Sequence, residues 1–476
     1  MIEVYLIGAL IISGLLFFNR NRKVNYLLIV VFVILQWGFT IYEYNHLNTN
    51  ELFGFFKPDA LGILLLITLS IITIPAYYHS YKFFLTSKEI PSQRSIYFAA
   101  MTLLIAAMSA AYLSNHIAVV WIFVEITTLS ASALIYHRRN NNSLEGTWKY
   151  VFVCSVSLTF VFIGILFLSL AMQQAGHTDL SFPALLSHAD SLNVFWLRLA
   201  FIFIFTGYTA KLGLVPMYTA GIDAKDKAPS PAGALLSSAL LNVGFVGIFR
   251  FYEVVAATSI HSWVNHIIMI AAILSVFIAA VYMLKVKNIK RMLAYSSIEH
   301  TGIVMIGIAA GGIGYYAAIL HLILHSFTKS SLFFQIGQMY RIYQSKSIYN
   351  VGNYFKYNPT GAMVILLGFL FITAMPPSGL FISEFMIFRA LFEGHYIFVM
   401  IALLILLTII IWALSKNIFK LLFTPPVNFN EKTVEKISPF ESLSQFVLLG
   451  LVIYLGFNPP AEFVALINEA IKNLPH

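Results

Sequence analysis

Fourteen apolar stretches of roughly 20 residues, joined by short polar loops, leave this chain only one solvent in which to fold. They cover approximately 2–19, 24–44, 59–83, 95–113, 115–136, 148–172, 194–214, 229–252, 264–284, 292–311, 314–340, 361–392, 396–424 and 440–457. A bilayer offers no water to backbone N–H and C=O groups, so runs of this length fold as helices that satisfy their own hydrogen bonds. The expected fold is all-α, a polytopic membrane protein of about 14 transmembrane helices. Composition agrees: 59% of residues are hydrophobic and 10% charged, against roughly 25% charged in a soluble domain. The first run has Glu3 at its start and Arg20, Arg22 and Lys23 behind it, so it reads as a retained helix rather than a signal peptide.

Charge placement gives an orientation. Alternate loops gather most of the 29 basic residues, among them Lys82, Lys88 and Arg94, Arg138, Arg139 and Lys149, Lys225 and Lys227, Lys285 to Arg291, and Lys416 to Lys436. The opposite loops hold only Lys57, Arg198, Arg250, Arg389 and Lys472. The basic side then faces the cytoplasm and both termini face outward, in the inner membrane of a bacterium or archaeon. The net charge of +9 is therefore an orientation signal, and no nucleic-acid partner is needed to explain it.

Cysteine content narrows the chemistry. Cys154 is the only cysteine, whereas an iron–sulfur cluster takes about four thiolates. No glycine-rich nucleotide loop is present, and the longest loops are too short for a catalytic domain. The expectation is a chain without cofactor or metal, whose partners carry any redox chemistry.

Ionisable residues placed inside the apolar runs point to function. Lys211 lies in 194–214, Glu125 in 115–136, Lys329 in 314–340 and Glu384 in 361–392, with His300, His321 and His325 also in apolar sequence. A charge at mid-membrane costs roughly 2.5–3.5 kcal/mol on insertion scales, so such residues persist where ions or protons move. The spacing of four puts His321, His325 and Lys329 on one helical face. Two runs also carry a break signal, Gly213 with Pro216 and Met375-Pro-Pro-Ser-Gly379, each beside an ionisable residue. Counting five helices per unit, the breaks fall at equivalent places in two inverted repeats. The expected organisation is an N-terminal three-helix segment (1–94), a first repeat (95–256), a second repeat (264–424) and a C-terminal helix and tail (425–476). Asp59 and His79 either touch the polar file or mark helix ends.

Taken together, Lys211-Leu-Gly-Leu-Val-Pro216, Asp223-Ala, Ala228-Pro-Ser-Pro231, Lys290-Arg-Met-Leu-Ala-Tyr-Ser-Ser-Ile-Glu-His300, His321-Leu-Ile-Leu-His325 and Trp121-Ile-Phe-Val-Glu125 resemble the antiporter-like proton-pumping subunits of respiratory complex I. The Ser-Ile-Glu-His300 and Trp148-Lys-Tyr150 variants resemble the version found in formate-hydrogenlyase-type, hydrogenase-4 nickel–iron hydrogenases. The resemblance implies that Glu125 pairs with Lys211 and tunes when the lysine holds its proton. It further implies that His300, His321, His325 and Lys329 form a central relay, and that Glu384 is the terminal exchange residue. Two departures stand out. Tyr218 and its neighbours replace a His-x-Trp-Leu-Pro-Asp pattern, and Asn242 stands where some relatives carry a lysine. The chain also reaches His476 without the long lateral helix of some relatives.

The function expected is that of a proton-translocating membrane subunit of a redox-driven complex. Its partners would be other membrane subunits, a soluble redox or hydrolytic module, and the bilayer. The alternative is a subunit of a cation/proton antiporter or an inorganic-carbon uptake system working without electron transfer.

Overall fold

The computed structural model describes residues 1–49, 51–86, 90–427, 429 and 435–475; Lys88 and Lys432, counted above with the basic loops, lie outside the described residues. Among these residues there are 12 helices long and apolar enough to cross a membrane, plus the shorter apolar helices Ile2–Phe18 and Pro359–Ile372. The only β pairing described is a few isolated bridges.

Two compact units divide the chain. The first takes Met1–Ala228, Ala239–Ile267 and Ala465–His476, the second Pro229–Ser238 and Ile268–Val464. Helices α1 (Ile2–Phe18), α2 (Arg22–Asn45), α3 (Ala60–Thr86), α4 (Pro91–Leu113), α5 (Ile117–Ile135) and α6 (Asn141–Gln174) open the first unit. A surface turn, α7 (Phe182–Ser187), leads to α8 (Val194–Leu212) and the short α9 (Ala220–Lys227). The chain enters the second unit with α10 (Ser230–Ser237) and returns to the first with α11 (Ala239–Ala256). After α12 (His261–Met283), the second unit is built from α13 (Ile289–Ala310), α14 (Ile313–Tyr343), the turn α15 (Tyr354–Tyr357), α16 (Pro359–Ile372), α17 (Gly379–Glu393), α18 (Ile397–Phe423) and α19 (Leu443–Phe457). The C-terminal α20 (Ala461–Ile471) ends the chain.

Local sequence sets these boundaries. Asn21, Asn193, Asn288 and Ser378 cap α2, α8, α13 and α17 by accepting from backbone N–H groups of the first turn. Asn140 and Ser143 form a reciprocal capping box at α6. Both anticipated breaks are present. Helix α8 stops at Gly213, which takes φ +80°, the left-handed conformation that costs glycine least. Helix α16 stops at Ile372, and Met375-Pro-Pro separates it from α17. A third break was not legible: the eighth span divides at Ser238 (φ −126°, ψ −93°) between α10 and α11. The Ser237-Ser238 pair is the local cause available, since serine side chains compete for backbone carbonyls; Ser238 Oγ bonds Ala234 O at 2.7 Å.

Polar residues follow the same inside–outside logic as apolar ones, in reverse. Leu10, Phe398 and Trp412 face outward as lipid-facing side chains do. On α13 and α14 nearly every residue is buried, His300, His321, His325 and Lys329 among them.

Candidate functional site

In the first unit, Lys211 sits one residue before the end of α8, where the break places it against α5 and α6. Its Nζ donates to Thr128 Oγ1 (2.8 Å), Tyr150 OH (3.1 Å) and Thr127 Oγ1 (3.2 Å). Three hydroxyls thus meet the three N–H groups of an ammonium. The same Nζ lies 5.2 Å from the centre of the Tyr150 ring, a cation–π distance. Gly244 lets α11 close the site from behind, since a Cβ there would stand 2.5 Å from Leu212 N and 2.9 Å from Lys211 C.

Glu125 is not in direct ion-pair contact with Lys211 among the described residues. Its carboxylate accepts from Thr128 Oγ1 at 3.3 Å, so one hydroxyl links the two charges. Glu125 and Lys211 remain within electrostatic range of each other. Backbone spacing explains the arrangement: Thr128 is one turn beyond Glu125 on α5, on the side that faces α8.

In the second unit two of the histidines are directly bonded and the third stands beside them. His300 Nδ1 and His321 Nε2 are 2.9 Å apart, and His321 Nδ1 reaches Ser383 Oγ at 2.9 Å. The other end of His300, Nε2, lies 3.1 Å from Ile372 O. Ile372 is the last residue of α16, where backbone carbonyls lose their helical partners, so the helix break supplies the acceptor that anchors the ring. The His325 ring is centred 5.0 Å from His300. Lys329, one turn further along α14, donates to Leu293 O (2.7 Å) and, very closely, to Ser296 Oγ.

Glu384, implied by the resemblance to be the terminal exchange residue, lies beside this pair. Its carboxylate and one nitrogen each of His300 and His321 are all within 4.8 Å of one another, and all three residues are buried. That set has the donor types of a metal site, but the histidine nitrogens are engaged with each other, with Ser383 and with Ile372.

Several participants escaped the sequence reading. Glu299 is 2% exposed, its Oε2 has no hydrogen-bond partner among the described residues, and it lies within electrostatic range of Glu384 and Lys329. A charge inside an apolar run is the signal that flagged Glu384, and it applied equally here. Tyr150, Thr127 and Thr128 carry no comparable signal, since hydroxyls are common in membrane helices. Arg250, assigned to an outer loop, is buried in α11 and bonded through Nη2 to both Asp59 oxygens at 2.9 Å. Asp59 in turn accepts from Gly62 N at the start of α3, which is the helix-end role. Lys225, assigned to a cytoplasmic loop, is buried in α9.

Known proteins share this architecture. Residues 114–410 match the family model described as NADH:quinone oxidoreductase/Mrp antiporter, transmembrane. The hydrogenase-4 component F homolog of Methylacidiphilum infernorum (isolate V4) is 31% identical over 347 residues, covering 71% of this chain and 73% of that protein. Among solved structures, a chain of the membrane-bound sulfane sulfur reductase, an archaeal respiratory membrane complex, superposes with a TM-score of 0.87 at 18% identity, covering 99% of this chain and 97% of that one. A chain of the Mrp complex from Dietzia sp. DQ12-45-1b also gives 0.87, at 15% identity, covering 99% and 96%. At these identities the two structures speak to the fold.

Proposed function

This chain belongs to the NADH:quinone oxidoreductase/Mrp antiporter transmembrane family, and from that premise we propose that it translocates protons as a membrane subunit of a redox-driven complex of the hydrogenase-4 type. It is an antiporter-like, multi-pass subunit. The electron-transfer centres belong to partner chains, alongside other membrane subunits. Both termini face outward in this reading, supported by the bias of basic residues to alternate loops. The segments 95–256 and 264–424 act as two inverted repeats, an assignment supported by the helix breaks that follow Leu212 and Ile372.

The observation that carries the reading is the hydroxyl cradle of Lys211. With an ammonium, the three hydroxyl oxygens accept three N–H bonds. With a neutral amine, Nζ has two donors and a lone pair, and the Tyr150 hydroxyl can turn to donate to it. The cradle therefore accommodates both protonation states without leaving a buried polar atom unpaired. A purely structural cation would more simply be held by a carboxylate in contact.

The second unit supports the same chemistry by other means. An imidazole that accepts a proton on one nitrogen and releases one from the other passes charge without moving its ring. The sequence Ser383, His321, His300 offers such a step twice. Lys329, Glu299 and Glu384 supply groups around it that hold or yield protons as the file changes charge.

Replacement of Lys211 tests the proposal. Lys211→Ala abolishes proton flux in inverted membrane vesicles while the protein still inserts. Lys211→Arg also fails, because arginine keeps its proton at all accessible pH. Normal flux in an assembled arginine variant, followed with a pH-sensitive dye, removes the lysine from the mechanism.

A further inference from the structure

On the first unit, α2 and α3 leave a groove of about 350 Å³ between them that no residue of the lysine site lines. Its walls include Tyr26, Val30 and Ile34 of α2 and Ile74, Tyr78 and Tyr81 of α3, and no lining residue carries a charge. Val30, Ile34 and Ile74 are exposed, so the groove opens outward to the hydrocarbon. A proline inside a helix removes one backbone bond and bends the axis, and α3 carries Pro75 directly after Ile74.

Its dimensions select the occupant. From Tyr26 to Ile34 the groove follows α2 for about 12 Å at 1.5 Å per residue. That is under half of the roughly 30 Å hydrocarbon core, so the groove belongs to one leaflet. A partner helix is about 10 Å across and has the whole core to cross, and at that width less than one turn of it fills 350 Å³. An acyl chain is narrow enough to enter and ends within its own leaflet.

The end of the groove at Tyr26 and Tyr81 is basic. These two rings meet edge to face with centres 4.7 Å apart, and each helix sets a cation beside the groove's tyrosines. Arg22 stands 5.5 Å from the centre of the Tyr26 ring and its Nε donates to Tyr26 OH at 2.9 Å. Lys82 Nζ stands 5.7 Å from the centre of the Tyr78 ring. Arg20 and Lys23 flank Arg22 in sequence, and Arg94 donates to Arg20 O at 2.8 Å within electrostatic range of Arg22 and Tyr26. No carboxylate among the described residues pairs with any of these five cations. The N-termini of α2 and α4 open at the same end and add the positive ends of two helix dipoles. Charge complementarity therefore asks for an anion where the apolar groove ends.

We propose that this groove holds one anionic phospholipid, with an acyl chain between α2 and α3 and its phosphate against Lys82 and Arg22. The lipid belongs to the leaflet on the basic side, which is the cytoplasmic one in the orientation proposed above. Tyr26 and Tyr81, apolar in body and polar at the tip, stand at the boundary between chain and headgroup. The site stands on the membrane fold and is independent of proton translocation.

The test is native mass spectrometry of the full chain, purified in detergent and mixed with phosphatidylglycerol or phosphatidylcholine of the same acyl composition. One phosphatidylglycerol per chain is expected to bind more tightly than phosphatidylcholine, by about fivefold for each cation that meets the phosphate. Lys82→Gln is expected to weaken phosphatidylglycerol about fivefold, the effect of one basic residue near a membrane surface, and to leave phosphatidylcholine unchanged. Val30→Trp changes an exposed wall residue, fills the groove and is expected to release the bound lipid. Equal affinity for the two lipids, or a Lys82→Gln that binds both as the wild type does, removes the headgroup site. Undiminished phosphatidylglycerol binding in Val30→Trp places the chain elsewhere and overturns the groove. In native membranes, a photoreactive p-benzoylphenylalanine in place of the exposed Ile34 is expected to capture a phospholipid. Capture of another protein chain from that position instead assigns the groove to a partner and overturns the proposal.

Discussion

Lys211 and Lys329 are both buried lysines on long helices, yet their surroundings differ in kind. Lys211 is held by three neutral hydroxyls, with one carboxylate a hydroxyl away. Lys329 is held by a backbone carbonyl and a serine, in a unit that also brings together three imidazoles and two carboxylates. A hydroxyl cradle stabilises either state of a single proton carrier and stores nothing itself. The imidazole and carboxylate cluster has several places for a proton and several routes between them. In the proposed function the first unit serves as a switch and the second as a reservoir, the helix break lying next to Lys211 in the one and anchoring His300 in the other.

The largest expected difference sets one side chain of each unit against the other. His321 bonds on both sides, so His321→Gln interrupts the file and is expected to lower proton flux by roughly 10²–10⁴-fold, the range for loss of a general acid–base group. Tyr150→Phe removes one acceptor of three and is expected to cost less than about tenfold, matching a single hydrogen bond of ~1 kcal/mol. Equal losses in the two variants, measured as initial flux in vesicles, would erase the distinction between switch and reservoir.

Glu299 sharpens the reservoir side. Glu299→Gln keeps the shape but removes a proton site near Lys329 and Glu384, and flux is expected to fall by about tenfold, less than for the bonded histidine. The same variant is expected to change the pH dependence of pumping, because a charge that interacts with two other titratable groups is gone. A flux profile superimposable on the wild type at every pH would assign Glu299 to packing.

On the switch side, the link through Thr128 predicts a smaller and non-additive effect. Thr128→Val is nearly isosteric, removes the hydroxyl between Glu125 and Lys211, and is expected to slow pumping by roughly fivefold, about 1 kcal/mol. Glu125→Gln in the same background is expected to add little, since groups acting through one hydrogen-bond path are coupled. Simple multiplication of the two losses in the double variant would show that Glu125 reaches the lysine independently of Thr128.

The parts of this molecule that were legible in the sequence are those where lipid leaves few choices. Apolar run length and backbone satisfaction dictate helices, and Gly213, Pro216 and Met375-Pro-Pro mark two places where helices must stop. Charges inside apolar runs identified Lys211, His300, His321 and Glu384 as candidates because nothing in lipid tolerates them idly. What spacing along a helix does not reveal is which neighbour a side chain meets. Glu125 and Lys211 are on different helices, and only their packing puts the Thr128 hydroxyl between them. Glu384 follows a break whose turn decides whether the next helix points its acid to the surface or to the histidines. Arg250 was misplaced, and the burial of Lys225 within its loop was not anticipated, because a basic residue near a helix end looks the same whether it meets solvent or turns inward.

The two breaks themselves differ, and the smallest expected effect tests that. The break after α16 carries no charge between Met375 and Gly379, whereas the break after α8 leads into α9, with Asp223, Lys225, Asp226 and Lys227. Asp226 pairs with Lys227 at 3.4 Å and Asp223 approaches Lys149 at 3.8 Å. Lys225 is buried beside them, and burial pushes its ammonium from the usual 10.5 down to about 7. Because the folded value lies below the unfolded one, the folded protein binds fewer protons between those limits. The cost of folding is absent above about pH 10.5, grows as the pH falls, and is complete below about 7. Lys225→Met keeps the packing of the stem and removes that cost. It is therefore expected to raise the melting temperature at pH 6 by roughly 1–3 °C, the scale of about 1 kcal/mol in a large chain, and by less at pH 9. Thermal unfolding of the purified chain in lipid nanodiscs at the two pH values measures the difference. An equal gain at both would mean that Lys225 keeps its proton in the folded state and that burial at this break carries no titration cost.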